Sequence, residues 1–230
     1  MRVLHLLLVL LVAVMLASAD PFQNGSFEIG PDAPVHPCGC AGGVPYIGTF
    51  FAPYTGITGW TVTAGSVDII FLPGWSASDG ERSIDLDGLS AGTIAQTFDT
   101  TPGKTYEVDF DLAANFYAGL KIKHVLVTAP GFSQAYSFDS TGATALDMKW
   151  QTHTFEFVAT GSSSTLSFAD TDPTSAFGPA LDNVKVSAVG GGPGPVPEPS
   201  TWLLAGTGIV LSIVKTRKRF RSQKRLPARS

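Results

Sequence analysis

Between residues 20 and 189, apolar and polar positions alternate with a period of two in short runs set between Gly, Pro, Asn and Asp. This is the pattern of strands that bury one face. "KTYEVDFDLA" puts Tyr106, Val108, Phe110 and Leu112 on one side and Glu107, Asp109 and Asp111 on the other. "WQTHTFEFVA" sets Phe155 and Phe157 against Thr154 and Glu156. The same reading predicts strands over 22–28, 59–63, 66–71, 82–87, 93–98, 120–128, 163–168 and 181–188. Nothing of helical period in this stretch is long enough to serve as a crossover between parallel strands. Ten short strands joined by polar turns therefore predict an all-β sandwich. Residues 190–196, rich in Gly and Pro, cannot continue a strand and read as a linker.

Both ends depart from this pattern. Residues 1–19 join Arg2, an apolar stretch from Val3 to Leu16 and the small triplet Ala17-Ser18-Ala19, the layout of a signal helix that signal peptidase removes before Asp20. Near the other end the apolar run from Trp202 to Val214 has thirteen residues. As a helix it would span roughly 20 Å, short of the ~30 Å hydrocarbon core. Eight cations follow it, from Lys215 to Arg229, with no acid among them. A short hydrophobic helix of this kind is expected to insert in the membrane transiently, its basic end remaining cytoplasmic. A single-span anchor with snorkelling lysines is the alternative.

Charge sharpens the picture. The span from Asp20 to Glu198 carries all nineteen acids and only six bases, a net charge of −13 that the whole-chain value of −4 conceals. Such a surface repels nucleic acid and anionic lipid, so no nucleic-acid partner is expected; it suits cations and neutral sugars.

The sequence Val196-Pro197-Glu198-Pro199-Ser200-Thr201, followed by the apolar run and the basic cluster, resembles the PEP-CTERM sorting signal of Gram-negative bacteria. The resemblance covers residues 197–221, with 222–230 as a basic tail. It implies that Pro197, Glu198 and Pro199 are recognised by an exosortase-type membrane protease. The precursor would then be held in the inner membrane and the product sent to the cell surface or the medium. "NGSFE", "ITGWTVTAGSVDII", "ASDGERSIDLDG", "GTIAQTFDTTPGKTYEVDFDLA", "WQTHTFEFVATG" and "GPALDNVKV" together resemble the choice-of-anchor C family. That likeness implies a galactose-binding-like jelly roll over residues 20–189, the fold of many carbohydrate-binding modules.

Several residues could carry chemistry. Glu107, Asp109 and Asp111 share a strand face in the manner of a jelly-roll glycosidase run, but no tryptophan cluster flanks them, and a solvated face that discourages aggregation accounts for them. "GWSAS" lacks the second glycine of a nucleophile elbow, and His36, His124 and His153 stand in unrelated contexts. No enzyme is expected. Sugar modules stack pyranose faces on flat aromatics beside polar groups. Trp75, in the turn-rich "LPGWSASDG", is the preferred stacking residue, with Tyr54 beside it and Arg82, Asp85 and Asp87 as polar partners on the face opposite Ile84 and Leu86. Trp60 reads as core. Cys38 and Cys40 lie in "HPCGC", where a local disulfide ranks ahead of free or intermolecular thiols and a metal site comes last. Asp182 has the parity of Val184 and Val186, so its carboxylate faces inward and needs hydrogen bonds or a cation. The likeness to sugar modules implies a structural Ca²⁺ between Glu28 and Asp182; Asp182 capping the amides of a neighbouring loop is the equal alternative. The expected function is non-catalytic binding of an extracellular polysaccharide. A structural matrix component and, further off, a glycosidase are the competing readings.

Overall fold

The computed structural model describes residues 21–31, 47–173 and 175–190. Eleven strands form among them: β1 (Ile47–Phe51), β2 (Thr61–Ala64), β3 (Ser66–Phe71), β4 (Arg82–Asp85), β5 (Thr93–Asp99), β6 (Thr105–Ala114), β7 (Ile122–Ala129), β8 (Phe132–Asp139), β9 (Gln151–Val158), β10 (Ser163–Asp170) and β11 (Pro179–Ala188). They build a six-stranded sheet, β1-β3-β4-β11-β6-β9, and a five-stranded sheet, β2-β5-β10-β7-β8. Every ladder is antiparallel. The chain changes sheet at every step except the hairpins β3–β4 and β7–β8, the winding of a jelly-roll sandwich.

Period-two residues build the core as expected. Phe110 of β6 is fully buried, its ring 5.2 Å from those of Phe168 (β10) and Tyr136 (β8). Burying one such side chain is worth about 1.5–3 kcal/mol. Trp60 is 2% exposed, lies 5.2 Å from Phe27 and 5.8 Å from Phe22, and donates its indole N–H to Asn24 O at 2.9 Å. Trp60 is thus a core residue with its one polar atom satisfied.

Three parts of the chain differ from the sequence pattern. Residues 22–28 are a turn, not a strand: Asn24 and Phe27 have φ of 53° and 58°, and the Asn24 side chain bonds Ile29 O and Thr58 O, both at 2.8 Å. Phe22 and Phe27 are apolar because the turn inserts them around Trp60. β1 lies in a stretch for which no strand was predicted and pairs with β3. β8 was not predicted, although Phe132, Tyr136 and Phe138 share one parity; it pairs with β7 across the Pro130–Gly131 turn. The signal segment, residues 32–46, the linker and the sorting tail lie outside the described residues.

Candidate functional site

The connection from β3 to β4, residues 72–81, folds over the outer face of the six-stranded sheet. Asp111 and Asp182 are cross-strand partners on that face; the bulge between Asp182 and Lys185 sets Asp182 opposite the Val186 face, so its carboxylate turns into the loop and not, as its parity suggested, into the core. Asp182 Oδ2 accepts the amides of Ser78 at 2.7 Å and Asp79 at 2.9 Å. Ser78 Oγ donates to Asp111 Oδ2, which also takes Asn183 Nδ2 at 2.9 Å, and Thr152 Oγ1 donates to Asp111 Oδ1 at 2.6 Å. From the other side Glu28 Oε1 accepts the amides of Glu81 at 2.7 Å and Arg82 at 2.8 Å. Gly80 stands between the two clamps with φ of +78°, and a Cβ there would overlap Glu28 Oε1. Glycine is required at this position on both counts.

The remainder of the loop is fastened by Ser76 N to Ala145 O (2.7 Å), Trp150 Nε1 to Ser76 O (3.1 Å) and the Tyr117 hydroxyl to Gly74 O (2.9 Å). Beside it opens a groove of about 300 Å³ lined by Phe71, Leu72, Ser76, Ala77, Gly80 and Glu81. Leu72 is 53% exposed and the Tyr117 ring 54%. The groove thus offers an apolar wall, hydroxyl and carboxylate groups at its rim and a backbone held at many points.

The predicted ligand residues do not converge on this groove. Trp75 is 1% exposed and turned inward, its indole N–H on Ser83 Oγ at 2.8 Å. It props the loop from beneath and presents no face for stacking. Asp85 and Asp87 are buried as well. They lie opposite Ile84 and Leu86 as expected, but their face is covered. Asp85 Oδ1 accepts the amides of Asp87 and Gly178, each at 2.9 Å, and Asp85 Oδ2 accepts Asn115 Nδ2 at 2.8 Å. Asp87 Oδ2 takes the amides of Ser175 at 2.6 Å and Ala176 at 3.1 Å. Arg82 reaches Pro31 O at 3.1 Å, and Tyr54 is half-buried and stacked on Phe50 at 4.6 Å. Cys38, Cys40, Pro197, Glu198 and Pro199 lie outside the described residues.

Glu28 and Asp182 do meet on one loop, where both accept amide N–H groups; Asp182 Oδ1 also takes Asn183 N at 2.7 Å. Among the described residues no three His, Cys, Asp or Glu side chains are disposed to hold a metal. In this arrangement the oxygens of both carboxylates cap loop amides. Burial pushes the Asp182 carboxyl up to about 7 despite the three amides.

Sequence reasoning missed a second assembly, the buried polar end of the sandwich. Lys123 on β7 is 1% exposed and donates to Ala118 O at 3.4 Å. Burial lowers its ammonium from the usual lysine range, against the opposing charges of Asp85, Asp172, Asp170 and Asp87. Burial likewise raises Asp85 to about 8, Asp170 to about 7 and Asp68 to about 6. The Lys123 parity on β7 was legible, since it stands between Ile122 and His124 on the Val125–Val127 face. The groups that meet it from distant strands were not.

The structure defines the class: an all-β, jelly-roll module with a clamped loop over one sheet. The chain belongs to the family described as protein of unknown function DUF642, which matches residues 20–187, and residues 195–219 match the PEP-CTERM protein-sorting motif. That motif marks the chain for export through a membrane-held precursor. These matches assign that family and that motif; they do not assign the choice-of-anchor C family. Over 140 residues, 60% of this chain, the sequence is 34% identical to halomucin of Haloquadratum walsbyi, of which the match covers 1%. Similar solved structures include a family 35 carbohydrate-binding module from Paenibacillus barcinonensis (22% identity, 61% of this chain and 98% of that one, TM-score 0.39). TmCBM61 in complex with β-1,4-galactotriose is another (13% identity, 74% and 99%, TM-score 0.42).

Proposed function

We propose that the mature domain is a choice-of-anchor C module, displayed on or released from the cell surface after exosortase-type processing, that binds an extracellular polysaccharide in the groove beside residues 72–81. The observation that carries this reading is the groove itself: an open cleft with Phe71 and Leu72 as its apolar wall, Ser76 and Glu81 as polar neighbours, and its loop fixed by Glu28 and Asp182. A pyranose offers a flat C–H face and a rim of hydroxyls, and a site that takes it needs both kinds of surface, already in place. Binding here requires no acid/base pair. Asp109 and Asp111, two of the three carboxylates in the glycosidase-like run, are held by Thr154 and by Thr152, Ser78 and Asn183. The acid-rich surface favours neutral or cation-bridged glycans over anionic ones.

Affinity electrophoresis of the full chain through gels containing host exopolysaccharide tests the reading. Wild type is retarded, and Leu72→Ala and Glu81→Gln weaken the retardation with Tm unchanged. Trp75→Ala acts differently: loss of a buried indole costs about 3–5 kcal/mol, a fall in Tm near 10 °C at roughly 2–4 °C per kcal/mol. A wild-type chain that no exopolysaccharide retards is a structural matrix component instead.

A further inference from the structure

On the outer face of the five-stranded sheet, three residues far apart in sequence fall side by side. His124 on β7 is the cross-strand partner of Ser137 on β8, and both are exposed. Asp172, just past β10, accepts the His124 ring through Nδ1···Oδ1 at 2.7 Å and the His124 amide through Oδ2 at 2.7 Å. The His124 side chain is 47% exposed and that of Asp172 only 9%. Asp172 is itself oriented, its amide donating to Asp170 Oδ1 at 2.8 Å.

The strand order β10-β7-β8 decides how the imidazole can work. Asp172 holds Nδ1 from the β10 flank, which leaves Nε2 uncommitted, and Ser137 is the neighbour of His124 across the β7–β8 pair. With Nδ1–H committed to the carboxylate, Nε2 is the free base. Backbone pairing brings the serine close. The His124 amide goes to Asp172, and the His124 carbonyl accepts the Thr171 amide at 3.3 Å; neither turns toward β8. His124 and Ser137 are therefore a non-hydrogen-bonded antiparallel pair, the kind whose Cα atoms approach to about 4.5 Å with side chains in contact range. By the same alternation the Ser137 N–H points off the outer edge of β8, beside its own Oγ, with no ladder partner among the described residues. Ile122, 48% exposed, and the half-buried Leu126 flank His124 on the same face as apolar surface for an acyl group.

We propose that Ser137, His124 and Asp172 form a nucleophile–base–orienter set that hydrolyses carboxylic esters of small acyl groups. Ser137 Oγ attacks the ester carbonyl carbon and its proton passes to His124 Nε2. The carbonyl π electrons move onto oxygen, which accepts the Ser137 N–H. Collapse breaks the bond to the alkoxide, and His124 returns the proton to it. Water, deprotonated by the same nitrogen, then splits the acyl-serine to the carboxylic acid and restores the hydroxyl. Asp172 touches no substrate; it is a positioning residue that fixes the tautomer and stabilises the imidazolium. A single oxyanion donor on an open face stabilises the tetrahedral intermediate modestly, which suits esters and excludes amides. The activity is separate from the groove and stands whether or not the groove binds glycan.

The test uses the full chain with a fluorophosphonate probe and 4-nitrophenyl acetate. The probe forms an adduct that peptide mapping places on Ser137, and Ser137→Ala abolishes it and lowers ester hydrolysis at least about tenfold; positioned general-base catalysis contributes on the order of 10²–10⁴. Asp172→Asn lowers kcat more than it alters KM, and the conservative Asp172→Glu restores part of the rate; a residue serving only the fold would not give that split. Exposure of Ser137 and His124 keeps their variants folded, as an unchanged Tm verifies. Absence of an adduct on the wild type, or hydrolysis equal in wild type and Ser137→Ala, overturns the proposal.

Discussion

Asp182→Ala separates a capping carboxylate from a calcium ligand. The substitution removes the oxygens that accept Ser78 N, Asp79 N and Asn183 N and strands three partly buried amides. An unsatisfied buried donor costs about 1–3 kcal/mol, and the lower end of that range applies because the three amides are only partly buried, giving about 3 kcal/mol. For a domain of this size, Tm falls by about 6–12 °C. The pH dependence carries the discrimination. Burial raises the Asp182 carboxyl from 3.8 to about 7, so between those values the folded chain binds the proton more tightly than the unfolded one. Its contribution therefore falls as pH rises from about 4 to about 7. The variant lacks this slope, so the gap in Tm between wild type and Asp182→Ala is wider at pH 5 than at pH 8. A cation-bridging carboxylate behaves oppositely, because deprotonation strengthens metal binding and widens the gap with pH. Thermal melts of both proteins at the two pH values, with and without excess EDTA, give the answer. Refutation would be a wild-type Tm lowered several degrees by EDTA, or a gap that grows toward pH 8.

Two further outcomes follow from the same geometry and the tail. Asp68, Asp85 and Asp170 are raised to about 6, 8 and 7, with Asp87, Asp172 and Lys123 facing them, and Lys123 acting in the opposite sense. Wild-type Tm is accordingly higher at pH 5 than at pH 8, and Asp85→Asn flattens the fall between pH 6 and 8; a Tm that rises over that interval contradicts the burial argument. For the tail, intact-mass analysis of surface material should show a chain ending near Pro197-Glu198-Pro199, and recovery of Lys215–Ser230 on the mature protein would exclude processing there.

The sequence carried the sheets because side-chain parity is a local property. Glu107, Asp109 and Asp111 alternate with Val108 and Phe110, and β6 follows whatever lies above it. β8 obeyed the same rule through Phe132, Tyr136 and Phe138. The 22–28 segment imitated it: Phe22 and Phe27 are spaced five apart and reach the core through a turn with two left-handed residues, which no alternation describes. Parity gives a face but not what covers the face. Asp85 and Asp87 were correctly set opposite Ile84 and Leu86, yet Asn115, Ser175, Ala176 and Gly178 roof them. Trp75 failed for the same reason. Turn-rich neighbours suggested exposure, while the loop lies flat on the sheet and drives the indole onto Ser83.

The separation of Ser137, His124 and Asp172 shows where local reading stops. Their spacing along the chain is fixed by the lengths of β7, β8 and β10 and carries no chemistry. What joins them is the order of those strands in the sheet, set by which hairpin and which crossover the sandwich uses. A reordered sheet with unchanged strand sequences would keep every alternation and lose the constellation. The groove has the same dependence, since its loop is held by Glu28 from an N-terminal turn and by Asp182 from the last strand. Tying a turn at Glu28 and the last strand at Asp182 onto residues 78–82 makes the groove's shape conditional on complete folding of the sandwich. Substitutions in the turn at Asn24 should therefore loosen the groove, although Asn24 lies outside its lining, and should do so in proportion to their effect on the Glu28 clamp.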